Sequence, residues 1–331
     1  MEPLIVITIF ISFFCTYLIL PFWIRKAKQI GIIWADMNKN DKSKNVAGSG
    51  GITVLLGSTI GILLYIALQT FYFKSLDGIS ISIFAMLSTL FIVAGIGLVD
   101  DLFGWRKNGL SKRSRIILVL FAAVPLMVIN AGESTMIGLK LGILYPLLVI
   151  PIGILGATTT FNFLAGFNGL EASQGIILLS ALSFVTYLTG NSWLSVVALC
   201  LVASLFAFYI FNCNPAKVFP GDIITYVVGA AIASIAILGN IEKIALFFFI
   251  PYILEFFLKL RGRLNKQSFG KPNKDGSLEM PYNKIYGLEH LAIFLLKKIK
   301  PSKKAYESEV VYLINGFQIV VILIGLILFM I

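Results

Sequence analysis

Long apolar runs alternate with short polar stretches along the whole chain. The runs cover residues 3–24, 52–73, 79–99, 116–131, 142–160, 175–189, 193–211, 222–238, 243–259 and 310–331. A helix of about 17 to 25 residues crosses roughly 30 Å of hydrocarbon, and the ten runs fit that size, those at 116–131, 175–189 and 222–238 being short. The pattern predicts an all-α membrane protein with ten transmembrane helices, built as one polytopic domain over 1–331. Two features break up the last polar stretch, 259–309. Asp275-Gly276 between short polar-apolar segments predicts a hairpin turn. "LEHLAIFLLKKIKPSKK", 288–304, is an apolar run closed by cations and predicts a helix lying at the membrane interface, where anchoring alone would explain it.

Composition agrees: 58% of residues are hydrophobic and 13% charged, with a mean hydropathy of +0.92, a balance that excludes a water-soluble domain of this size. An even number of spans puts both termini on one side. Of the 27 Lys and Arg, 24 lie in connections after odd-numbered spans: six in 25–48, five in 100–115, one in 212–222 and twelve in 259–309. The other side holds Lys74, Lys140 and Lys243. Basic residues are retained in the cytoplasm, so the loops at about 25–51, 100–115, 161–174, 212–222 and 259–309 are expected inside and both termini outside. The net charge of +11 is then one-sided. Topology and attraction to anionic lipid suffice for any one lysine, and no nucleic-acid partner is expected. Pro21, Phe22 and Trp23 stand where a cleavage site would need small residues, so the first run is expected to stay as a span. Cys15, Cys200 and Cys213 have no metal-type spacing and read as small hydrophobes. No internal repeat of the transporter kind is visible.

Acidic and carboxamide residues share the basic face. "WADMNKNDKSKNVAGSGG", 34–51, joins glycines that let backbone amides approach a ligand to Lys39, Lys42 and Lys44, although a solvated loop looks the same. In "GLVDDLFGWRKNGLSKRSR", 97–115, Asp100 and Asp101 come directly off an apolar span. They either cap a helix end and pair with Arg106 or Lys107, or take part in metal-linked phosphate chemistry. Asp222 in "NCNPAKVFPGDIITY", 212–226, could cap its helix, yet with Asp100 and Asp101 it makes three carboxylates at one membrane depth. "NFLAGFNGLEASQG", 162–175, adds two asparagines, a glutamate and a glutamine. Such oxygen donors suit Mg²⁺ shared with substrate phosphates, whereas a lone histidine, His290, excludes a His-based zinc site. Arg261 and Arg263 follow span nine, with forks suited to phosphate oxygens.

Together these stretches resemble the polyprenyl-phosphate N-acetylhexosamine-1-phosphate transferases, most closely the eukaryotic and archaeal branch acting on UDP-N-acetylglucosamine and dolichyl phosphate. "NFLAGFNGLEASQ" is similar to that branch's N-x-L-A-G-x-N-G-L-E-x-x-Q, "ADMNK" to D-L-N-K, "VDDLFGWR" to the D-D motif with its W-R, and "VFPGD" to V-F-x-G-D; "RGRLNK" followed by "GSLEMPYNK" resembles its arginine loop and hairpin. The resemblance implies that N-acetylglucosamine 1-phosphate is transferred to a polyprenyl (dolichyl) phosphate, releasing UMP, at the cytoplasmic face of a cell membrane. It implies Mg²⁺, with Mn²⁺ as the alternate ion, held by Asn162 and Asp222. Phe219 would stack on uracil, Asn168, Gly169 and Leu170 would contact the uridine, and Asp36 and Met37 would close that pocket. Arg261 and Arg263 would grip the diphosphate, Glu171 would support the site from behind, and Asp100 and Asp101 would orient the reacting groups. Spacing between Asp101 and Trp105 is shorter than in relatives, which leaves Lys107 and Lys112 both open as the phosphate-binding lysine. Gly48 and Gly104 stand where relatives carry polar side chains. Asn168, where cell-wall relatives have Asp, and the two arginines disfavour a muramoyl-pentapeptide substrate. Compact loops suggest an archaeal enzyme of protein glycosylation, and assembly as a homodimer is left open.

Two rivals belong to other classes. A secondary transporter or ion channel would use intramembrane carboxylates as a relay, but apart from Glu255 the acids cluster at span ends on one face. A lipid-binding scaffold that has lost activity has only Gly104 in its favour.

Overall fold

The computed structural model describes residues 3–41, 45–75, 78–107, 109–133, 135–136 and 139–330. Thirteen α-helices and seven short strands are distinguished among them. The amino-terminal half holds α1 (Pro3–Ile30), β1 (Ile33–Ala35), β2 (Asn45–Ala47), α2 (Gly51–Ala67), α3 (Ile79–Lys107), α4 (Lys112–Ala122), α5 (Val124–Val128), β3 (Thr135–Met136), β4 (Leu139–Lys140) and α6 (Ile150–Phe163). The other half holds α7 (Leu170–Leu188), α8 (Ser192–Asn212), α9 (Gly221–Leu238), α10 (Glu242–Phe248), α11 (Ile250–Arg261), β5 (Lys271–Pro272), β6 (Ser277–Glu279), α12 (Leu288–Ile299), β7 (Ala305–Tyr306) and α13 (Glu307–Met330). A π-helical segment extends α2 through Phe73, and another, from Tyr145, leads into α6.

Eight helices among the described residues are long and apolar enough to cross a membrane, and they coincide with eight of the ten predicted runs. The chain is a membrane protein. The other two runs differ from the expectation of continuous helices. The run at 116–131 is divided between α4 and α5, and that at 243–259 between α10 and α11. Pro125 and Pro251 follow the breaks, each removing a backbone donor from the helical ladder.

The bundle is arranged around α9, the most buried span at 83%. Its sequence explains the position: Gly229, Ala230, Ala231, Ala233, Ser234 and Ala236 leave little side chain between backbones. A Cβ at Gly229 would stand 2.6 Å from the Ala157 carbonyl oxygen on α6. Helices α3, α6, α2 and α7 pack on α9, while α8 joins α7 to α1. Helices α1 and α13 are peripheral, each only 28% buried.

The hairpin predicted at Asp275-Gly276 forms as β5 and β6, paired Lys271 with Glu279 and Pro272 with Leu278, and β7 adds a third strand beside β6. In the first polar stretch, β1 pairs antiparallel with β2. Helix α12 is shorter than the predicted 288–304 and is more than an anchor. Leu288, Glu289, His290, Ala292 and Ile293 are buried while Phe294 and Ile299 are exposed.

The packing at α9 gives a direct prediction. Gly229→Ala forces a methyl against the α6 backbone and lowers the thermal unfolding midpoint in detergent. Gly95→Ala, where no atom lies within 4 Å, raises or preserves it because alanine is the better helix former by about 1 kcal/mol. Equal midpoints for the two variants would contradict this packing.

Candidate active site

The site forms where α3 meets α9. A Cβ at Gly97 would stand 2.8 Å from the Asp222 backbone carbonyl, so the two backbones are in contact there. One helical turn later α3 presents Asp100 and Asp101. Adjacent helix residues point about 100° apart, and the two carboxylates part accordingly. Asp100 is 2% exposed and turns into the protein, ion-paired with Arg115 at 2.6 Å and accepting from the Leu110 backbone N–H at 2.7 Å. Its partner among the described residues is Arg115; the side chains of Arg106 and Lys107, the partners expected from the sequence, lie outside the described residues.

Asp101 faces a cavity of about 580 Å³. Its Oδ1 accepts from the Asp222 backbone N–H at 2.9 Å and its Oδ2 from the Ser49 hydroxyl at 2.8 Å. The carboxylate rests against Gly221, where a Cβ would meet Oδ2 at 2.1 Å, so no side chain fits there. Asp222 lies in the first turn of α9, and the Asn162 amide, near the end of α6, donates to its Oδ1 at 3.0 Å. Asp101, Asp222, Asn162, Ser49 and Phe219 all line the cavity.

The rest of the wall comes from the first polar stretch, the loop before α7 with its first turn, and the last polar stretch. Asp36, Met37, Asn168, Glu171 and Phe269 line it. Asp36 Oδ2 accepts from the Asn168 amide at 2.9 Å, and its Oδ1 from the Asn38 backbone N–H at 3.1 Å. Glu171 Oε1 accepts from the Gly166 backbone N–H at 2.8 Å, behind the turn carrying Asn168. Gly169 adopts φ of 84° at the start of α7 and packs on the Tyr209 ring, and Leu170 is buried. Neither lines the cavity, so of the three residues expected at the uridine only Asn168 does.

Arg261 and Arg263 are exposed at the end of α11 and stand outside the cavity lining. The Arg261 guanidinium lies 6.0 Å from the Tyr286 ring centroid. Lys112 reaches the same turn, its Nζ 3.4 Å from the Leu264 carbonyl oxygen and from Asn265 Oδ1. The Lys107 side chain lies outside the described residues, as do Lys42 and Lys44.

Sequence reasoning missed two organising residues. Glu307, 2% exposed, accepts from the Asn168 backbone N–H at 2.8 Å and pairs with Lys39 at 2.5 Å. Asn38 donates to the Gly166 carbonyl at 2.8 Å and accepts from the Gly270 N–H at 3.0 Å, tying three polar stretches together. Glu307 was findable, since it is a carboxylate at the start of a span like Asp222. Asn38 had only its place in "ADMNK".

The donor set can be tested against a divalent cation. Among the described residues no three His, Cys, Asp or Glu side chains form a metal site by themselves. Four carboxylates, Asp36, Asp101, Glu171 and Asp222, nevertheless line a cavity that no described lysine or arginine lines. Turning the Asn162 amide over, an exchange of O and N that preserves its shape, would add a neutral oxygen beside Asp222. An oxygen-rich set of this kind, carrying carboxylates and with room for water and phosphate, fits Mg²⁺.

Comparison with known proteins places the chain. Residues 83–240 match the model of glycosyl transferase family 4. A protein of Saccharolobus solfataricus, provisionally named a UDP-N-acetylglucosamine–dolichyl-phosphate N-acetylglucosaminephosphotransferase, is 34% identical over 98% of this chain and 96% of its own length. A protein of Sulfolobus acidocaldarius with the same provisional name is 31% identical over 95% and 93%. The Dictyostelium discoideum protein named for that activity is 28% identical over 73% of this chain and 68% of its own. With the motifs of the first four polar stretches gathered around one cavity and the likeness running nearly end to end, the chain belongs to glycosyl transferase family 4.

Proposed function

We propose that the chain transfers N-acetylglucosamine 1-phosphate from UDP-N-acetylglucosamine to a polyprenyl phosphate of the dolichyl type, releasing UMP, as the first step of lipid-linked oligosaccharide assembly for protein glycosylation. The observation that carries this is one cavity lined by the acids Asp101 and Asp222 with an Asp36–Asn168 pair on the same wall, in a chain resembling named transferases over almost its full length. The acids gather at the ends of spans on one face, which favours an enzyme over a relay for ions.

In this reading the whole chain is one transferase domain of an archaeal cell membrane. The α4–α5 and α10–α11 pairs serve as the remaining two of ten spans, both termini face outward, and the cavity opens to the cytoplasm, as the distribution of Lys and Arg supports. Asn162 and Asp222 would hold Mg²⁺, or Mn²⁺ in its place, and the bound ion supplies charge neutralisation to the donor diphosphate. Phe219 stacks on uracil and Asn168 reads its edge, with Asp36 and Glu307 fixing Asn168, Met37 closing the pocket and Glu171 bracing the turn behind. Arg261 and Arg263, exposed on their turn, swing onto the diphosphate, with Lys112 beside them. A second, apolar cavity of about 420 Å³, lined by Ile152, Ala157, Ile232, Ala236, Leu246 and Phe249, offers the prenyl chain a path between α6, α9 and the broken α10–α11 pair.

The acceptor phosphate has a second pKa near 6, so it arrives largely as a dianion and needs little help from a base. Its oxygen attacks the phosphorus bearing the sugar; a P–O bond forms as the bond to the UMP oxygen breaks, and UMP leaves with the electron pair. Asp101 has both oxygens engaged, by the Asp222 N–H and the Ser49 hydroxyl, which suits an orienting group better than a covalent nucleophile. Asp100 holds Arg115 and so fixes the end of α3. Positioning and charge stabilisation then supply most of the catalysis.

Four experiments check this reading. Purified protein given UDP-N-acetylglucosamine, dolichyl phosphate and Mg²⁺ yields UMP and a lipid diphosphate sugar. Asp222→Ala and Asn162→Ala each lower turnover by roughly 100-fold or more, whereas Lys243→Ala keeps it; full activity of the Asp222 variant, or in excess EDTA, would sink the metal assignment. Cysteine at position 140 labels from outside intact cells and cysteine at position 271 does not, and the opposite pattern would invert the topology. Finally, lipid-depleted enzyme does not exchange labelled UMP into UDP-N-acetylglucosamine. Exchange without lipid, lost in Asp101→Asn, would show a covalent phospho-sugar intermediate instead.

A further inference from the structure

A group of buried ionisable residues lies beside the cavity and has no part in the chemistry above. Glu255 and Lys259, one turn apart on α11, form an ion pair at 3.2 Å. Glu255 is 0% and Lys259 6% exposed. Glu289 and His290 of α12, both 0% exposed, sit against them. A Cβ at Gly287 would meet Glu289 Oε2 at 2.6 Å, Glu255 Oε1 at 3.0 Å and Lys259 Nζ at 3.4 Å, so the three groups converge on one point. Burial, with Glu255 alongside, pushes the Glu289 carboxyl well above its ordinary value. Burial and the neighbouring Lys259 push His290 down to about 4. His290 is therefore neutral near pH 7, and Lys259, ion-paired with Glu255, is the basic residue at the centre of the group.

Lys259 does more than balance Glu255. Its Nζ donates to the Ser268 hydroxyl at 2.5 Å, and the next residue, Phe269, is cavity wall. The Ser268 hydroxyl in turn lies 3.5 Å from the Phe163 carbonyl, adjacent to Asn162. The Lys259 carbonyl accepts from the Leu264 N–H at 3.0 Å, closing a turn in which Arg263 and Leu264 both hold positive φ, 55° and 56°. Two successive non-glycine residues in the left-handed region are strained, and such backbone persists only where its surroundings over-determine it. Glu255 Oε2, accepting from the Leu288 N–H at 2.6 Å, fixes the pair to α12.

From this geometry we infer that Lys259 is a positioning residue for the transfer reaction: through its side chain and carbonyl it locks the strained Arg261–Leu264 turn and the Ser268–Phe269 wall in one register. The inference rests on the roles given above to that turn and cavity. Lys259→Met by itself also leaves Glu255 buried without a partner, so the decisive variant is Lys259→Met with Glu255→Gln, which removes both charges.

The double variant is expected to recover the thermal midpoint that Lys259→Met loses while its kcat/KM for UDP-N-acetylglucosamine stays about tenfold or more below that of the unaltered protein, the scale of one lost charge-assisted hydrogen bond. Ser268→Ala, which removes the Lys259 hydrogen bond and keeps the Glu255–Lys259 ion pair, is expected to lower kcat/KM by about threefold to tenfold with a smaller loss of midpoint than Lys259→Met. Amide hydrogen exchange in the substrate-free protein reads the same lock without turnover: the Leu264 and Gly270 amides should exchange about tenfold faster in the double variant. Recovery of both midpoint and kcat/KM to within twofold, or unchanged protection at Leu264 and Gly270, would reduce Lys259 to a counter-charge and overturn the inference. Failure of the unaltered protein to turn over UDP-N-acetylglucosamine would instead count against the proposed reaction, and the exchange measurement would still decide the lock.

Discussion

The contact between the backbones of α3 and α9 is the constraint on which the site depends. At Gly97 the helices approach until nothing larger than hydrogen fits between them. The Asp101 carboxylate can therefore accept from the first turn of α9. A wider separation would leave Asp101 and Asp222 as two isolated acids at a membrane boundary, each needing its own partner. Close approach makes them one electronegative surface, and the small residues of α9 extend the same economy of space to α6, which carries Asn162.

The opposite side of the cavity is built on another principle. Short irregular segments supply it, and side-chain hydrogen bonds to backbone hold them in place of helix packing. Asn38 spans from the first polar stretch to Gly166 and Gly270, while Asp36 holds the Asn168 amide. Such segments can be shaped for a ligand because they need not satisfy a helical repeat, yet each buried polar group must be matched individually. A helix-packed acidic floor and a laced polar wall thus meet in one cavity.

Much of the fold was legible because bilayer thickness fixes element length, and eight apolar runs became helices near their predicted bounds. Asp275-Gly276 carried its hairpin in the turn chemistry itself. The breaks at α4–α5 and α10–α11 were less visible: hydropathy sums over a window, whereas a proline removes one donor. At the site, the acids and carboxamides could be gathered by membrane depth and motif, but their directions could not. The divergence of Asp100 from Asp101 follows from helix rotation and the choice of Arg115 from tertiary packing. Glu307 and Asn38 escaped notice because their partners lie in distant segments. The Arg261–Leu264 turn was hidden for a different reason, since neither Arg263 nor Leu264 is a residue type that announces a left-handed backbone.

Glu307 stands 268 positions from Lys39 and 139 from Asn168 along the chain, and this separation bears on how the protein is made. Membrane helices are inserted in order of synthesis, so the early polar stretches are already made while the later spans emerge. Until the first turn of α13 has been translated, the Asn168 amide and the Lys39 ammonium lack the carboxylate that joins them. The polar wall is therefore completed by α13, and chains interrupted before it carry the acidic floor without a finished pocket above it.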